Sequence, residues 1–430
     1  MWNFILQICR KIMPVFIKEK LKDIVDASEI IYIQNKQKSA LKKLSEKKKI
    51  KAVFMAIEIS VWKYDEVFRL MQFHPRFEPV IFVCPMVNYG RDIMLEKMSQ
   101  CVSYYMTKGY NVICSYDKYT DKYVDLRKEL NPDILLYTNP YKGLIDDRYY
   151  ISNFKDLLTV YVSYYFTCGI DMNFNTNIPL YNIVWRKYVE NSYVKEICLN
   201  YAKNRGRNAV VTGYPGIEPL IDNHTVLDPY AGDARKRIIW APHHTLESSI
   251  YGHSCFLKYA EYFLDLASKY KEQILFIFKP HPLLKGKLYN LWGKEKTDYY
   301  YNRWENGINT SINEGDYVDL FLSSDAMIHD SGSFVVEYLY VNKPVMRTIN
   351  DVPLEVQFNE FALSCLNNYY MARTEQDIEH FIQNVINGND SMKEQRTKFV
   401  NEILMPKGSP SQNIIDDILD SIDNQILYRN

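Results

Sequence analysis

The spacing of apolar and polar positions changes near residue 50, and this change divides the chain into two kinds of structure. Over residues 2–17, apolar side chains recur at steps of three and four, which is the spacing of one helical face, and most basic side chains fall between them. From Ile50 onwards, apolar runs of strand length alternate with segments of helical spacing. Strands that are apolar throughout are typical of parallel sheets covered by helices on both faces. The pattern therefore predicts an amphipathic helical arm followed by open α/β structure.

The alternation is interrupted near the middle of the chain, where Asp, Asn, Pro and Gly accumulate and the periodicity is lost, as in a linker. We predict a Rossmann-like parallel-sheet domain on each side. Ligands of such sheets bind beyond the carboxyl ends of the strands, so we expect those ends to face one cleft. The predicted divisions are a helical arm (1–49), a first α/β domain (50–222), a linker (223–236), a second α/β domain (237–372) and C-terminal helices (373–430) that open on a capping-box pattern.

Three stretches inside these divisions have local predictions of their own. Residues 182–206 are predicted as one helix that ends in glycine, and residues 333–341 as a second, shorter helix. Residues 283–314 form a polar, aromatic insertion to which the spacing assigns no element.

The charge balance limits the classes of partner. The 52 basic and 52 acidic side chains cancel, which argues against a nucleic-acid binder. Residues 1–51, however, hold 13 Lys and Arg against 5 Asp and Glu, a net charge of +8. A basic amphipathic helix binds an anionic membrane surface, each nearby cation adding about 1 kcal/mol. We favour this prediction over the alternative, an arm packed on the protein's own body or on a partner subunit.

The sequence also indicates the compartment. No apolar run reaches about 18 residues, so no membrane-spanning helix is predicted, and the charges follow the first apolar stretch, which is the wrong order for a secretory signal. The eight cysteines include no C-x-x-C pair, which favours buried thiols in a reducing compartment. We expect a cytoplasmic protein, peripheral on the inner face of the membrane.

Polar clusters follow three of the predicted strands in the second half of the chain. Because carboxyl ends of parallel strands meet at one edge of a sheet, we expect these clusters to form one shared site rather than three separate capped turns. The clusters supply His243, His244 and Thr245 after the first strand, Lys279 and His281 after the second, and Asp330, Ser331, Gly332 and Ser333 after the third.

The third cluster has the composition of a diphosphate-binding turn. Gly332 lets the backbone approach a ligand, Ser331 and Ser333 offer hydroxyls, and a helix that starts near Ser333 would direct free N–H groups at an anion. The alternative is a well-capped strand-to-helix turn. Asp330 ends a buried strand, so we expect it mainly to orient the turn. Glu337 would accept a hydrogen bond from a ribose hydroxyl, or else lie solvated on the helix.

These motifs resemble those of the CDP-glycerol glycerophosphotransferases, which make teichoic-acid-type and capsular polymers. The similar stretches are "WAPHHT", "FKPHP" and "DYVDLFLSSDAMIHDSGSFVVEYLYVNKPV", within residues 205–350. The resemblance implies the two-domain GT-B fold, with the acceptor bound by the first domain and the nucleotide-activated donor by the second. It also implies that His281 contacts the donor phosphates. Gly332 and Ser333 match two serines of the family turn, so one hydroxyl is replaced by glycine; the turn also resembles the "DSGG" turn of nucleotide-sugar epimerases.

The first domain departs from the family pattern. The family carries an active-site histidine after a strand that corresponds to residues 158–168, where this chain offers Ser163, Tyr164 and Tyr165 instead. Glu58 and Asn139 are the other polar candidates that follow strands there. A carboxylate such as Glu58 can take the proton of an acceptor hydroxyl, or it can simply orient its loop or cap the following helix.

The resemblance implies a phosphodiester transfer. A hydroxyl of a polymer or of its lipid-linked precursor attacks the glycerol-bearing phosphorus of CDP-glycerol, and CMP leaves. Lys279, His281 and the helix start at Ser333 would stabilise the leaving diphosphate oxygen, and His243 or His244 would bind phosphate or act as an acid. We expect no required cofactor or metal. The rival hypotheses are a sugar transferase of the same fold that uses a UDP- or CMP-sugar, and an inactive scaffold of a polymer-assembly complex.

Overall fold

The computed structural model describes residues 15–222, 225–246, 252 and 254–428, with side chains from residue 28. The chain forms two compact units. Of the described residues, the first unit contains those up to Tyr164, Asp171–Gly216 and those from Pro406, and the second contains those within Tyr165–Ile170 and Ile217–Met405. These units differ from the divisions predicted above, because the last helix returns to the first unit and a short segment before residue 171 joins the second.

Both units are built on parallel strands. The strands are β1 (Ile50–Ala56), β2 (Phe77–Val83), β3 (Val112–Cys114), β4 (Tyr116–Asp117), β5 (Lys122–Tyr123), β6 (Ile134–Tyr137), β7 (Leu158–Val162), β8 (Arg186–Val189), β9 (Ala209–Val211), β10 (Lys236–Ala241), β11 (Ile274–Phe278), β12 (Thr310–Ile312), β13 (Ala326–His329), β14 (Val345–Thr348) and β15 (Tyr370–Ala372).

The helices separate these strands. The α-helices are α1 (Val15–Ser45), α2 (Asp65–Phe73), α3 (Arg91–Thr107), α4 (Leu126–Leu130), α5 (Met172–Asn177), α6 (Pro179–Ile183), α7 (Ser192–Tyr201), α8 (Glu218–Ile221), α9 (Phe256–Lys269), α10 (Leu284–Trp292), α11 (Lys294–Glu305), α12 (Val318–Ser323), α13 (Phe334–Glu337), α14 (Glu360–Leu366), α15 (Glu375–Ile386), α16 (Lys393–Phe399) and α17 (Pro410–Asp423).

The first unit holds a seven-stranded parallel sheet in the order β3-β2-β1-β6-β7-β8-β9, with β4 and β5 as a small antiparallel pair. Strand β1 in the interior of this sheet is buried on both faces. Along β1, Ala52, Phe54 and Ala56 belong to one core cluster, whereas Val53 and Met55 belong to another on the opposite face. This two-sided burial explains why the strand is apolar after Lys51, and it confirms the predicted α/β architecture.

The predicted helix over residues 182–206 is wrong. The segment contains the end of α6, strand β8 and helix α7. All four residues of β8 are buried, including Arg186, whose Nε donates to Asp417 Oδ2 at 2.8 Å and whose second guanidinium nitrogen donates to Ser421 Oγ at 2.7 Å. Because both acceptors lie on α17, far along the chain, the local spacing of apolar residues could not show that a charged strand would be buried here.

The described part of the predicted N-terminal arm belongs to the first unit. In α1 the side chains of Ile33, Ala40, Leu41 and Leu44 are buried, and the last three join the core cluster that also contains Ile418 of α17. This packing matches the alternative prediction of an arm laid on the protein's own body. Residues 1–14, which carry most of the predicted amphipathic face, lie outside the described residues.

The second unit holds a six-stranded parallel sheet in the order β12-β11-β10-β13-β14-β15. Its core contains Trp240 of β10, whose ring stacks on Phe263 of α9 with centroids 4.1 Å apart. The polar, aromatic insertion is helical, since α10 and α11 cover most of it and β12 follows at the sheet edge. Trp304 of α11 is fully buried beside Phe278. The aromatic residues of the insertion therefore form part of the core of the second unit.

Three further expectations concern a helix cap, the cysteines and membrane-crossing helices. The capping box predicted at Thr374 and Asp377 is confirmed, with each side chain bonded to the other residue's backbone. In the described residues, six cysteines are buried free thiols and Cys114 is an exposed one. Among the described residues, no helix is both long enough and apolar enough to cross a membrane.

Candidate functional site

Three neighbouring strands at the centre of the second sheet carry the predicted polar clusters at the same edge. The order β11-β10-β13 places the three strands side by side. The register pairs Trp240 with Phe278 and Ala241 with His329, which are the last residues of their strands or adjoin them. The clusters that follow therefore leave the sheet together, as the sequence predicts.

Three histidines meet at this edge. The ring centroids of His243 and His244 are 4.3 Å apart, those of His244 and His281 are 4.2 Å apart, and those of His243 and His281 are 5.1 Å apart. The three side chains are partly buried. We call these three residues the histidine cluster. The side chains of the first two polar clusters thus adjoin in the second unit, and one site shared by all three clusters remains a prediction.

The hydrogen bonds of His281 set the position of its ring proton. Its Nδ1 accepts from the backbone N–H of Leu283 at 3.1 Å, so in the neutral ring the proton lies on Nε2. Burial, helped by the nearby His244 and Lys287, lowers the pKa of His281 to about 3. The imidazole is therefore neutral near pH 7, and its Nε2–H is a hydrogen-bond donor suited to an anion.

The histidine cluster is also a candidate metal site, since one ring nitrogen of each residue lies within 4.8 Å of the others. A metal ligand must present an unprotonated nitrogen. His243 Nδ1 lies 2.9 Å from Thr245 Oγ1, which leaves its Nε2 for such a role. His281 can present an unprotonated Nε2 only if its proton moves to Nδ1. That shift would break the hydrogen bond that Nδ1 accepts from the Leu283 N–H. The hydrogen bonding of the cluster thus suits an anion better than a cation.

Asp330 is buried, and its carboxylate accepts hydrogen bonds from backbone N–H groups of two other segments. Its Oδ1 accepts from the N–H of His243 and its Oδ2 from the N–H of Cys255, the latter at 2.6 Å. Burial raises the pKa of Asp330 to about 6, although both backbone bonds and the charge of Arg347 oppose the rise. The carboxylate ties the end of β13 to the chain after β10 and to the start of α9. The predicted orienting role fits this geometry, whereas a direct contact with a donor does not.

The turn at Ser331, Gly332 and Ser333 is partly exposed and has room beside it. A Cβ built on Gly332 would meet no atom within 4 Å, so a ligand can approach the backbone there. The Ser333 side chain makes no capping bond. The predicted helix 333–341 is shorter in its α-helical part, since α13 has four residues and continues as a 3₁₀ turn over Tyr338–Val341.

Lys279 and Glu337 were predicted to contact the nucleotide-activated donor, but their side chains are directed at other parts of the second unit. Lys279 Nζ donates to Asn313 Oδ1 and to the carbonyl of Gly315, both at 2.9 Å, so it anchors the loop after β12. Glu337 is only 3% exposed, which excludes a solvated position on the helix. Burial and the nearby Glu337 carboxylate raise the pKa of the buried Tyr317. Glu337 therefore lies inside the unit, where a ribose hydroxyl would have to enter the core to reach it.

The candidates of the first unit are mostly engaged locally. Glu58 follows β1, and its Oε1 accepts from Lys97 Nζ at 2.6 Å. It does not cap α2, whose N-cap is Tyr64. Asn139 Oδ1 accepts from the N–H of Tyr141 at 2.9 Å, and Tyr164 Oη lies 3.4 Å from Tyr141 Oη. The carboxylate of Glu58 is thus held in an ion pair with Lys97.

The sequence reasoning missed Arg347. It lies in β14 opposite His329 and is 1% exposed. Its two terminal guanidinium nitrogens donate to the carbonyls of Ser331 at 3.0 Å and Asp330 at 3.3 Å. The only signal in the sequence is an arginine within an otherwise apolar strand.

Comparisons with known proteins identify a family for the sequence and similar folds for the structure. A family profile described as CDP-Glycerol:Poly(glycerophosphate) glycerophosphotransferase matches residues 172–420, more than half of the chain. No curated protein matches the sequence. A variant of the wall teichoic acid polymerase TagF superimposes with a TM-score of 0.57 at 14% identity, over 94% of this chain and 99% of that one.

Epimerases share the fold as well. A UDP-GlcNAc 2-epimerase from Neisseria meningitidis, solved with UDP-GlcNAc bound, superimposes with a TM-score of 0.51 at 14% identity, over 86% of this chain and all of that one. At such identities the similarity concerns the fold alone. The two Rossmann-like units together with these neighbours confirm the predicted GT-B-like class.

Proposed function

Since the chain belongs to the CDP-glycerol:poly(glycerophosphate) glycerophosphotransferase family, we propose that the histidine cluster and the Ser331–Ser333 turn bind the diphosphate of CDP-glycerol. Membership makes the protein a transferase of CDP-glycerol-dependent polymer synthesis. The observation that supports the site assignment is that hydrogen-bonding side chains follow three adjacent parallel strands at one sheet edge. Such edges are where open α/β sheets bind their ligands.

Each part of the site has a role in this proposal. The Nε2–H of His281 donates to a phosphate oxygen, and the same donor stabilises the charge that develops on CMP as it leaves. His243, His244 and Thr245 line the other side of the diphosphate. Asp330 holds the loops together from behind, through the N–H groups of His243 and Cys255. In this proposal, the protein groups that contact CDP-glycerol are held in position by buried hydrogen bonds.

The transfer itself makes one bond and breaks one. The oxygen of an acceptor hydroxyl forms a bond to the glycerol-bearing phosphorus, the bond from that phosphorus to the bridging oxygen breaks, and its electron pair leaves with CMP. The proton of the hydroxyl needs a base, and Glu58 is the base we propose, because its carboxylate follows β1 at the carboxyl end of a parallel strand. Phosphoryl transfers of this kind depend mainly on positioning and on charge stabilisation.

The setting of the reaction follows from its acceptor. We propose a hydroxyl of a cell-surface polymer, or of its lipid-linked precursor, as the acceptor, and a cytoplasmic protein held at the inner membrane face by the basic N-terminal residues. The exposed face of α1 supports this placement, because Lys36, Lys38, Lys42 and Lys43 are exposed there together with Ile31. Cations beside an exposed apolar side chain suit an anionic lipid surface.

The test is the release of CMP from CDP-glycerol in the presence of an acceptor. We expect His281→Ala to reduce the rate by about 100-fold or more, the loss typical of a donor that acts on the leaving oxygen. His74→Ala is a matched control, since His74 lies in the first unit and bonds only locally with Arg76 N. A nucleotide panel with CDP-ribitol, UDP-GlcNAc and CMP-sialic acid separates a polyol phosphate donor from a sugar donor. Retention of most activity by His281→Ala would remove it from the site, and binding of none of the nucleotides would favour the inactive scaffold.

A further inference from the structure

Three arginines of the described residues are fully buried, and they differ in their partners. Arg186 pairs with Asp417 at 2.8 Å, and Arg396 pairs with Asp390. Arg347 has no carboxylate within ion-pair distance anywhere in the described ranges, and its guanidinium bonds only to carbonyls. A buried charge is costly unless it is paired, and unpaired ones concentrate at functional sites. Arg347 therefore needs an explanation that the other two arginines do not.

The side chain of Arg347 lies behind the Ser331–Ser333 turn. Its guanidinium carbon stands 4.6 Å from the ring centroid of Phe358, and Nε is buried with no acceptor among the residues the structure describes. The carboxylate of Asp330 is near enough to act on the pKa of Arg347, but it is bonded to backbone N–H groups instead. The two guanidinium bonds that exist pull the carbonyls of Asp330 and Ser331 inward.

The direction of these carbonyls fixes the direction of two N–H groups. In a trans peptide the C=O and the following N–H point in opposite directions, and the described chain contains no cis bond. The N–H groups of Ser331 and Gly332 therefore point away from the guanidinium. Within the described residues neither donates to a backbone carbonyl, and the space beside Gly332 is open. Two adjacent N–H groups aimed at open space make a concavity suited to an anion.

We propose that Arg347 is a positioning residue of the donor site. It holds the turn so that the N–H groups of Ser331 and Gly332 face the diphosphate, and its charge stabilises that diphosphate across the thickness of the turn. The ligand class is a nucleoside diphosphate-linked donor, so the inference rests on the function proposed above. The diphosphate then supplies the negative charge that the buried guanidinium lacks within the protein.

The test compares two substitutions that separate charge from hydrogen bonding. Arg347→Lys keeps the charge, and Arg347→Gln keeps a donor without the charge. We expect Arg347→Gln to raise the KM for CDP-glycerol about 10- to 100-fold, the range for losing a charged partner, and Arg347→Lys to raise it less. The KM for the acceptor should stay within about twofold in both variants, because Arg347 acts on the donor turn.

The matched control is Arg396→Gln. Arg396 lies in the same unit and is equally buried, but it already forms an ion pair with Asp390. We expect this variant to lower the melting temperature without raising the donor KM. Equal donor KM values in Arg347→Gln and Arg396→Gln at comparable melting temperatures would overturn the inference and reduce Arg347 to a packing role. If Arg347→Gln does not fold, a donor KM for Arg347→Lys equal to that of wild type at a lowered melting temperature would also overturn it. Failure of the wild-type protein to bind CDP-glycerol is a separate result, which refutes the proposed function instead.

Discussion

The carboxylate of Asp330 gives a prediction about stability that can be worked through from its hydrogen bonds. The change is Asp330→Asn, which keeps the shape of the side chain and removes its charge. The wild-type carboxylate accepts two backbone N–H groups, from His243 and Cys255. An asparagine accepts one of them with its oxygen and turns its own N–H₂ toward the other. One buried donor then lacks an acceptor, which costs about 1–3 kcal/mol.

The charge has an opposite effect that depends on pH. Burial raises the pKa of Asp330 from 3.8 to about 6, and two pKa units correspond to about 3 kcal/mol. Because the folded carboxyl holds its proton more tightly, this stabilisation is fully present below pH 3.8 and is lost as the pH rises through 6. Asparagine does not titrate, so the variant loses nothing over that interval. His281 and His329, whose pKa values burial lowers, titrate in both proteins and largely cancel in the difference.

The measurement is the free energy of urea unfolding of both proteins at several pH values from 4 to 7.5, followed by tryptophan fluorescence. Near pH 4 the folded carboxyl is protonated and presents one full acceptor, as asparagine does, so wild type is most stable relative to Asp330→Asn at this end of the range. Between pH 4 and pH 7.5 we expect wild type to lose about 3 kcal/mol in the free energy of unfolding relative to the variant. A difference that stays constant across this range would show that the carboxyl has an ordinary pKa, and the account of Asp330 as a buried, charged clamp would fail.

Two further predictions concern the first unit. We expect Glu58→Gln to lower kcat about 100-fold or more with the KM for CDP-glycerol unchanged, because it removes the proposed base. Lys97→Met, which keeps the carboxylate and removes only its ion-pair partner, is the control, and equal losses in both would mean that the pair is structural. Deleting residues 1–27 should weaken binding to phosphatidylserine liposomes at least 10-fold and leave the melting temperature within a few degrees. Deleting residues 1–48 should destabilise the protein by several kcal/mol, since it removes the buried Leu41 and Leu44. Liposome binding that is unchanged by the shorter deletion would exclude a membrane role for residues 1–27.

Local spacing predicted the elements that are buried on both faces and missed those whose burial depends on distant partners. β11 is apolar throughout, and β1 and β10 carry charged residues only in their first two positions, so the identity of these strands is visible in a short window of sequence. β8 is different, because Arg186 is buried in it only through Asp417. In α11 three consecutive tyrosines at 299–301 stand between charged segments, so the helical spacing of the buried positions is masked although Trp304 is fully buried.

The candidate site shows the same limit. The polar residues that end β10, β11 and β13 were visible, because polar groups after apolar strands are unusual. What the sequence could not show is the direction of each side chain. Lys279 is directed at the loop after β12, because β12 lies beside β11 in the sheet and this loop supplies acceptors for its ammonium group. Glu337 is buried within the second unit. Arg347 was missed because its importance depends on the pairing of β14 with β13.

The departure at Gly332 can now be weighed in physical terms. Where the resembling family has a serine hydroxyl, this chain has none, yet the N–H groups of Ser331 and Gly332 do not depend on the side chain at that position. Their direction depends on the carbonyls that Arg347 holds, and the missing Cβ leaves open space for an anion to approach them. A hydroxyl donor is thus replaced by closer access to backbone donors that are backed by a buried charge. On this argument the glycine substitution changes how the turn binds a diphosphate without removing its capacity to do so.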